Sequence, residues 1–175
     1  MSLARAQSLI REIPDYPKPG IRFQDLTPLL ADGQAFAQVT AALEEFVGDA
    51  SVIAGIEARG FIFASALAQS LGLGFVPIRK AGKLPHRTIE ESYGLEYGDD
   101  VLQIHEDALG LGTRVLLIDD VLATGGTVVA ASKLISRLGG SLVAGAALLE
   151  ISELEGRKKV SGYFPDLHFH SLFQV

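Results

Sequence analysis

Residues Val115–Thr127 read VLLIDDVLATGGT, and the run behind them repeats at helical spacing. Val115–Ile118 is a short apolar run of Val, Leu and Ile, which reads as a strand buried on both faces. It ends in two adjacent carboxylates, Asp119 and Asp120, followed by the small-residue loop Ala123-Thr124-Gly125-Gly126-Thr127. Val128, Ala131, Leu134, Ile135 and Leu138 then mark one helical face, and Gly139-Gly140 supplies the stop. The loop's backbone N–H groups and the helix N-terminus offer unpaired donors and a positive dipole to an anion. Gly125 and Gly126 permit positive φ and close backbone approach, so a side chain at Gly126 is expected to occupy the phosphate's path. Thr124 and Thr127 can add hydroxyl donors.

The carboxylates narrow the ligand. An Asp pair repels a naked phosphate but suits a ribose 5-phosphate, whose neutral 2′ and 3′ hydroxyls donate to it. No G-x-x-x-x-G-K-[ST] is present, and no G-x-G-x-x-G follows a strand. The plain alternative is an ordinary strand-to-helix turn with Asp119 and Asp120 as cap and surface acids.

The chain has 175 residues, 48% hydrophobic and 21% charged, which reads as one globular domain. Its net charge of −6 argues against nonspecific nucleic-acid binding, while leaving room for a local basic site. No cysteine is present, so neither a disulfide framework nor thiol chemistry is expected. Met1–Pro14 lacks the apolar stretch of a signal peptide, and no run approaches the length of a membrane span. The expectation is a cytoplasmic protein with no membrane and no nucleic-acid partner.

Outward from the centre, Leu3, Ala6, Ile10 and Ile13 predict a helix over Ser2–Glu12 capped by Ser2. Pro14, Pro17, Pro19 and Gly20 end it; Ile21-Arg22-Phe23 is extended and Asp25–Pro28 a turn. This stretch is either a linker or an apolar-basic-aromatic platform for a planar base. Phe36, Val39, Leu43, Phe46 and Val47 predict a helix behind Asp32.

Ser51–Ile56 reads as a buried strand running into Glu57-Ala58-Arg59-Gly60 and a helix over Phe61–Leu71, stopped by Gly72. Arg59 stands at a strand's C-terminal end, as a structural cap partner or an anion ligand. Phe75–Ile78 is another strand, followed by Arg79-Lys80-Ala81-Gly82-Lys83-Leu84-Pro85, either a solvated basic loop or cations gathered for an anion. Tyr93, Leu95 and Tyr97, then Leu102 and Ile104, alternate about Gly98-Asp99-Asp100, an antiparallel excursion suited to a flap. Leu142–Leu149 is a strand; an acidic turn and the basic run Arg157-Lys158-Lys159 follow, and Phe169–Phe173 is an edge strand. Strands alternating with helices give an α/β fold: a mostly parallel, twisted sheet with helices on both faces and a small antiparallel flap over the site. The loops after Ile56, Ile78, Ile118 and Leu149 should converge on one crevice.

Val115–Thr127 closely resembles the 5-phosphoribosyl-1-pyrophosphate (PRPP) signature of the type I phosphoribosyltransferases. IPDYPKPGIRFQDLTPLL, AGIEARGFIF, RKAGKLP, SYGLEYG and IDDVLATGGT occur in the order seen in adenine phosphoribosyltransferases, over roughly residues 10 to 155. GKLP and SYxLEYG are specific to that branch.

The resemblance implies a transferase of purine salvage that joins adenine to PRPP, releasing pyrophosphate and AMP, with Mg²⁺ held mainly through PRPP and no metal ligand of its own. It implies one domain over 1–175, with a purine-binding hood over 1–30, a mobile flap over 83–105, and a homodimer. Asp119 and Asp120 would hold the ribose hydroxyls and Ala123, Thr124, Gly125, Gly126 and Thr127 the 5′-phosphate. Arg59, Arg79 and Lys83 would bind pyrophosphate, Lys83 in its own or a partner's site. Arg22, Phe23 and Ile151 fall at the adenine pocket, Phe23 as the stacking ring; Glu96 is the flap acid near the purine and Tyr97 its neighbour. By the same resemblance the catalytic set is Glu96, Arg59 and Lys83. Two departures stand out: Ala64-Ser65 replaces a Gly found in many relatives, and Arg22 and Gln24 lie in a variable segment. The rivals are a transferase for hypoxanthine, guanine or xanthine, and a non-catalytic PRPP-binding regulator.

Overall fold

The computed structural model describes residues 3–94 and 100–175, in two compact units, Met1–Ala42 and Leu43–Val175. The first unit takes in the hood expected over residues 1–30. It contains α1 (Ala4–Ser8), the antiparallel pair β1 (Arg11–Pro14) and β2 (Arg22–Asp25), α2 (Thr27–Ala31) and most of α3 (Gly33–Leu43).

The helix expected over Ser2–Glu12 is thus cut short. Arg11 and Glu12 pair instead with Asp25 and Gln24, and the Arg11 guanidinium lies 2.5 Å from the Asp25 carboxylate. Cross-strand pairing overrides a helical periodicity carried by only a few residues. Ser2 lies outside the described residues. Asp25 does make the expected turn, its Oδ1 accepting the Thr27 N–H at 2.9 Å, but Thr27–Ala31 continues as a helix. Pro28 is tolerated there because a first-turn residue has no intrahelical N–H bond to lose. Asp32 caps α3 as expected, its Oδ1 accepting the Ala35 N–H at 2.9 Å.

The second unit is built on β3 (Val52–Ile56), β4 (Gly74–Lys80), β5 (Thr88–Tyr93), β6 (Asp100–His105), β7 (Arg114–Leu122), β8 (Ser141–Glu150) and β9 (Phe169–Gln174). They form one sheet in the order β5-β6-β4-β3-β7-β8-β9; β4, β3, β7, β8 and β9 are parallel, and β6 runs antiparallel to both β4 and β5. β9 lies at the edge, as the sequence suggested. The helices are α4 (Gly60–Leu71), α5 (Gly126–Arg137) and α6 (Gly156–Tyr163). Gly72 ends α4 in the left-handed conformation, φ +67°.

Three elements differ from expectation. β7 does not stop at Ile118; it carries Asp119 and Asp120 inside the strand, because Val121 and Leu122 still pair with Leu149 and Glu150 of β8. The basic run after Glu155 is helical, and its apolar period was too sparse to read: only Gly156 and Val160 of α6 are buried. The antiparallel excursion is present as expected in β5 and β6, but it joins the main sheet: β6 pairs Gln103 and Leu102 with Arg79 and Lys80 of β4, and Leu102 and Ile104 are fully buried. Residues 95–99, the flap's tip, lie outside the described residues.

β3 leads through α4 to β4 on one side of the sheet's centre, while β7 leads through α5 to β8 on the other. Right-handed crossovers in opposite directions put α4 and α5 on opposite faces. α4 packs closest where side chains are smallest. A Cβ on Gly55 of β3 would lie 2.7 Å from the Ala64 Cβ and 2.9 Å from the Phe75 ring. The Ala64 departure is therefore matched by a glycine beneath it. Gly55→Ala should destabilise the fold by about 1–3 kcal/mol through overpacking, and adding Ala64→Gly should restore part of the loss. Thermal unfolding of both variants checks this; no rescue by the second change would disconnect the two positions.

Candidate active site

Because the crossovers diverge from β3 and β7, a crevice opens at the C-terminal ends of these two neighbours. The loop after β3 lies directly against the acids of β7. A Cβ on Gly60 would sit 3.1 Å from the Ile118 carbonyl oxygen and 3.2 Å from the Asp119 Cα, so glycine permits this contact. Arg59, one residue earlier, reaches across, its Nε 2.5 Å from the Asp120 Oδ2. Asp119 accepts the Asp120 N–H at 2.9 Å and the Thr127 hydroxyl at 3.2 Å. Burial, then the neighbouring Asp120 charge, push the Asp119 carboxyl well above the ordinary carboxylate value. Thr127, expected as a phosphate donor, donates in this structure to Asp119.

The loop Ala123–Thr127 follows at once. Gly125 has φ +78° and immediately precedes α5, so the first N–H groups of that helix open onto the loop. Its shape is set from behind by Gly156, the first residue of α6. A Cβ on Gly125 would lie 2.6 Å from the Gly156 carbonyl oxygen, and one on Gly156 would lie 2.2 Å from the Ala123 carbonyl oxygen. A Cβ on Gly126 would meet the Tyr93 ring at 3.4 Å, at the end of β5. Thr124 is exposed. Gly156 was missed by the sequence reading; a glycine directly after Glu155, beginning the basic run, was its only signal.

On the other side of the crevice the cations are collected by an acid that was also missed. Glu57, directly after β3, accepts Lys83 Nζ at 2.7 Å, Arg79 Nη2 at 3.2 Å and Nε at 3.3 Å, and the Lys80 N–H at 3.0 Å. The anion among these expected-loop cations is thus a protein carboxylate, and Arg79 and Lys80 belong to β4. Burial alone would raise the Glu57 carboxyl; the hydrogen bonds from Lys83, Arg79 and the Lys80 N–H outweigh it and bring it down to about 2. The loops after β3, β4, β7 and β8 do converge, the last through the Ile151 N–H donating to the Leu122 carbonyl at 2.9 Å and through Gly156.

Of the expected purine residues, Arg22 lies on β2 with its Nε 3.6 Å from a Glu12 carboxylate oxygen, and the Phe23 ring meets Tyr16 edge-on at 5.2 Å. Both belong to the first unit; Ile151 follows β8 in the second. Glu96 and Tyr97 lie outside the described residues.

Two outcomes are expected. Asp119 titrates higher in the folded chain than in the unfolded one, so its ionisation costs stability as pH rises from about 3.8 through the folded value. Asp119→Asn removes that cost, so its Tm relative to wild type should climb between about pH 3.5 and 8; a difference flat with pH would contradict the raised carboxyl. Gly156→Ala should push the Ala123 carbonyl and weaken PRPP by at least about tenfold, roughly 1.4 kcal/mol, with an unchanged circular dichroism spectrum. Titration with PRPP decides, and wild-type affinity would free the loop from Gly156.

A family model described as the phosphoribosyl transferase domain matches residues 27–172. An adenine phosphoribosyltransferase of Acidobacterium capsulatum is 52% identical over 168 residues, 95% of this chain and 91% of that protein. The crystal structure of the adenine phosphoribosyltransferase of Thermoanaerobacter pseudethanolicus superposes with a TM-score of 0.93 at 46% identity, covering 99% of this chain and 100% of that one. That of Saccharomyces cerevisiae, complexed with an imino-altritol bisphosphate and adenine, gives 0.89 at 34% identity over 97% of each chain. Matched by the family model over most of its length and about half identical to adenine phosphoribosyltransferases across nearly the whole chain, this chain belongs to the phosphoribosyltransferase family, in the branch of the adenine phosphoribosyltransferases.

Proposed function

We propose that the crevice at the ends of β3 and β7 holds PRPP and transfers its 5-phosphoribosyl group to adenine, releasing pyrophosphate and giving AMP. One observation carries this: the Asp119–Asp120 pair stands between the glycine loop and Arg59, so phosphate, diol and pyrophosphate are served in the order in which PRPP carries them. A yeast relative complexed with a bisphosphate and adenine together supports the same pairing of ligands.

In this reading Asp119 and Asp120 accept the ribose hydroxyls, and Ala123–Thr127 with the α5 N-terminus cradle the 5′-phosphate. Arg59, Arg79 and Lys83 lie on the pyrophosphate side, where negative charge grows as the C1′–oxygen bond breaks. The purine N9 attacks C1′ of an oxocarbenium-like ribose, so the protein supplies no covalent nucleophile. By the resemblance, Phe23 is the ring that stacks on adenine, Arg22 and Ile151 are further adenine residues, and Glu96 governs the N9 proton from the flap. Closure of that flap excludes water, which would otherwise hydrolyse PRPP.

Among the described residues no cluster of three His, Asp or Glu side chains could cage a metal ion, and Glu57 already accepts four donors. By the resemblance, a Mg²⁺ would arrive on PRPP, and Asp119 and Asp120 would stand by the ribose. Bound there, the ion would neutralise charge on the pyrophosphate. No helix among the described residues is long and apolar enough to cross a membrane. We further infer a homodimer in the cytoplasm from the resemblance; light scattering should return twice the 18.6 kDa of one chain.

A panel of adenine, hypoxanthine, guanine and xanthine with PRPP and Mg²⁺ tests the activity. AMP formation should exceed the other nucleotides by at least about 100-fold, the margin that a buried hydrogen-bonding pocket readily gives. Preference for a 6-oxopurine, or binding of PRPP without turnover, would overturn the reading.

A further inference from the structure

Lys83 is an exposed cation on the loop after β4, yet both its ammonium and its backbone carbonyl are held. Its Nζ lies 2.7 Å from Glu57 Oε1, and its carbonyl accepts Arg79 Nη1 at 3.0 Å. Arg79 is itself clamped to both oxygens of Glu57. The loop backbone has separate moorings on β6: the Ala81 N–H donates to the Val101 carbonyl at 3.0 Å, and the Gly82 N–H to Gln103 Oε1 at 3.0 Å. The loop's path thus has supports of its own, while the direction of the Lys83 arm depends on Glu57.

We propose that Glu57 is a positioning residue of this active site, holding the Lys83 ammonium in place for the leaving pyrophosphate. The inference rests on the function proposed above. An ammonium has three N–H donors, and Glu57 takes one. The Lys83 side chain keeps 48% of its surface exposed, whereas the Glu57 side chain keeps 7%. An incoming anion therefore meets the lysine and not the carboxylate behind it. Lysine carries large rotamer freedom, and an arm already pinned does not lose that freedom on binding. Glu57 touches no reacting atom in this arrangement; it acts through Lys83.

The test is a double-mutant cycle on the intact enzyme, with KM read for all four reactants. Glu57→Gln should raise KM for PRPP, and for pyrophosphate in the reverse reaction, by about fivefold, the effect of one charge-assisted hydrogen bond. KM for adenine and AMP should stay within twofold of wild type. In a Lys83→Ala background the same change should raise KM for PRPP clearly less, the remainder passing through Arg79, because interacting residues are non-additive. An unchanged KM for PRPP, an equal rise in the Lys83→Ala background, or an equal rise for adenine would each overturn the proposal, the last marking a merely structural role. If Glu57→Gln does not fold, Glu57→Asp keeps the charge but withdraws it by one methylene. It should raise the same two constants by at least about threefold, and no change would be equally fatal. A wild-type enzyme that failed to make AMP would instead sink the function itself.

Discussion

Two carboxylates sit at the centre of the sheet, inside β7, at 6% and 9% exposure. Burying such charges is costly, and the surrounding chain is arranged around that cost. Arg59 arrives from the loop after β3 to pair with Asp120, and Thr127 and a backbone N–H arrive to satisfy Asp119. Arg59 and Thr127 stand where α4 and α5 begin. β3 ends level with the acids while β8 runs on past them, and the two crossovers diverge there. The raised Asp119 carboxyl shows that the compensation is incomplete. In the proposed reading, that lost stability keeps a pair of acceptors ready for the ribose hydroxyls.

Close backbone approach is the second constraint, and glycines carry it at defined contacts. Gly60 lets α4 begin against β7, and Gly125 with Gly156 lets the phosphate loop lie on the start of α6. α6 thus acts from behind the loop, although none of its side chains figured among the expected site residues. A phosphate loop needs its N–H groups aimed at one point, and a rigid support from the rear fixes that aim more firmly than a ligand could alone.

Much of this was legible in the chain. Apolar runs such as Val115–Ile118 and Leu142–Leu149, rich in Val, Leu and Ile, read as buried strands, and each was placed within a few residues. What escaped notice depended on partners distant in sequence. Arg11 and Glu12 look helical until Asp25 and Gln24 lie opposite them. Asp119 and Asp120 look like loop acids until β8 extends the ladder past them. α6 buries too little apolar surface to show a period. Among the site residues, Asp119, Asp120 and the glycine loop were visible because their chemistry is local. Glu57 and Gly156 were not, because a carboxylate's partners and a glycine's neighbours become apparent only in three dimensions.

The acidic balance of the chain, −6 overall, sits beside a crevice meant for a polyanion. Screening limits exposed charges to an effective range of about 8–10 Å at physiological salt, so the local arrangement governs the ligand. Locally, Arg59 and Lys83 are each paired with a deeper acid: by side chain, Arg59 is 34% exposed over Asp120 at 13%, and Lys83 48% over Glu57 at 7%. Unpaired, these cations would repel one another and sample many rotamers. Paired, they are neutralised toward the protein and remain open toward the crevice. A carboxylate brought down to about 2 stays ionised at any working pH, so this layering persists whether or not an anion is bound. Acids buried beneath cations thus let an overall negative chain present a positive, ordered surface at one place.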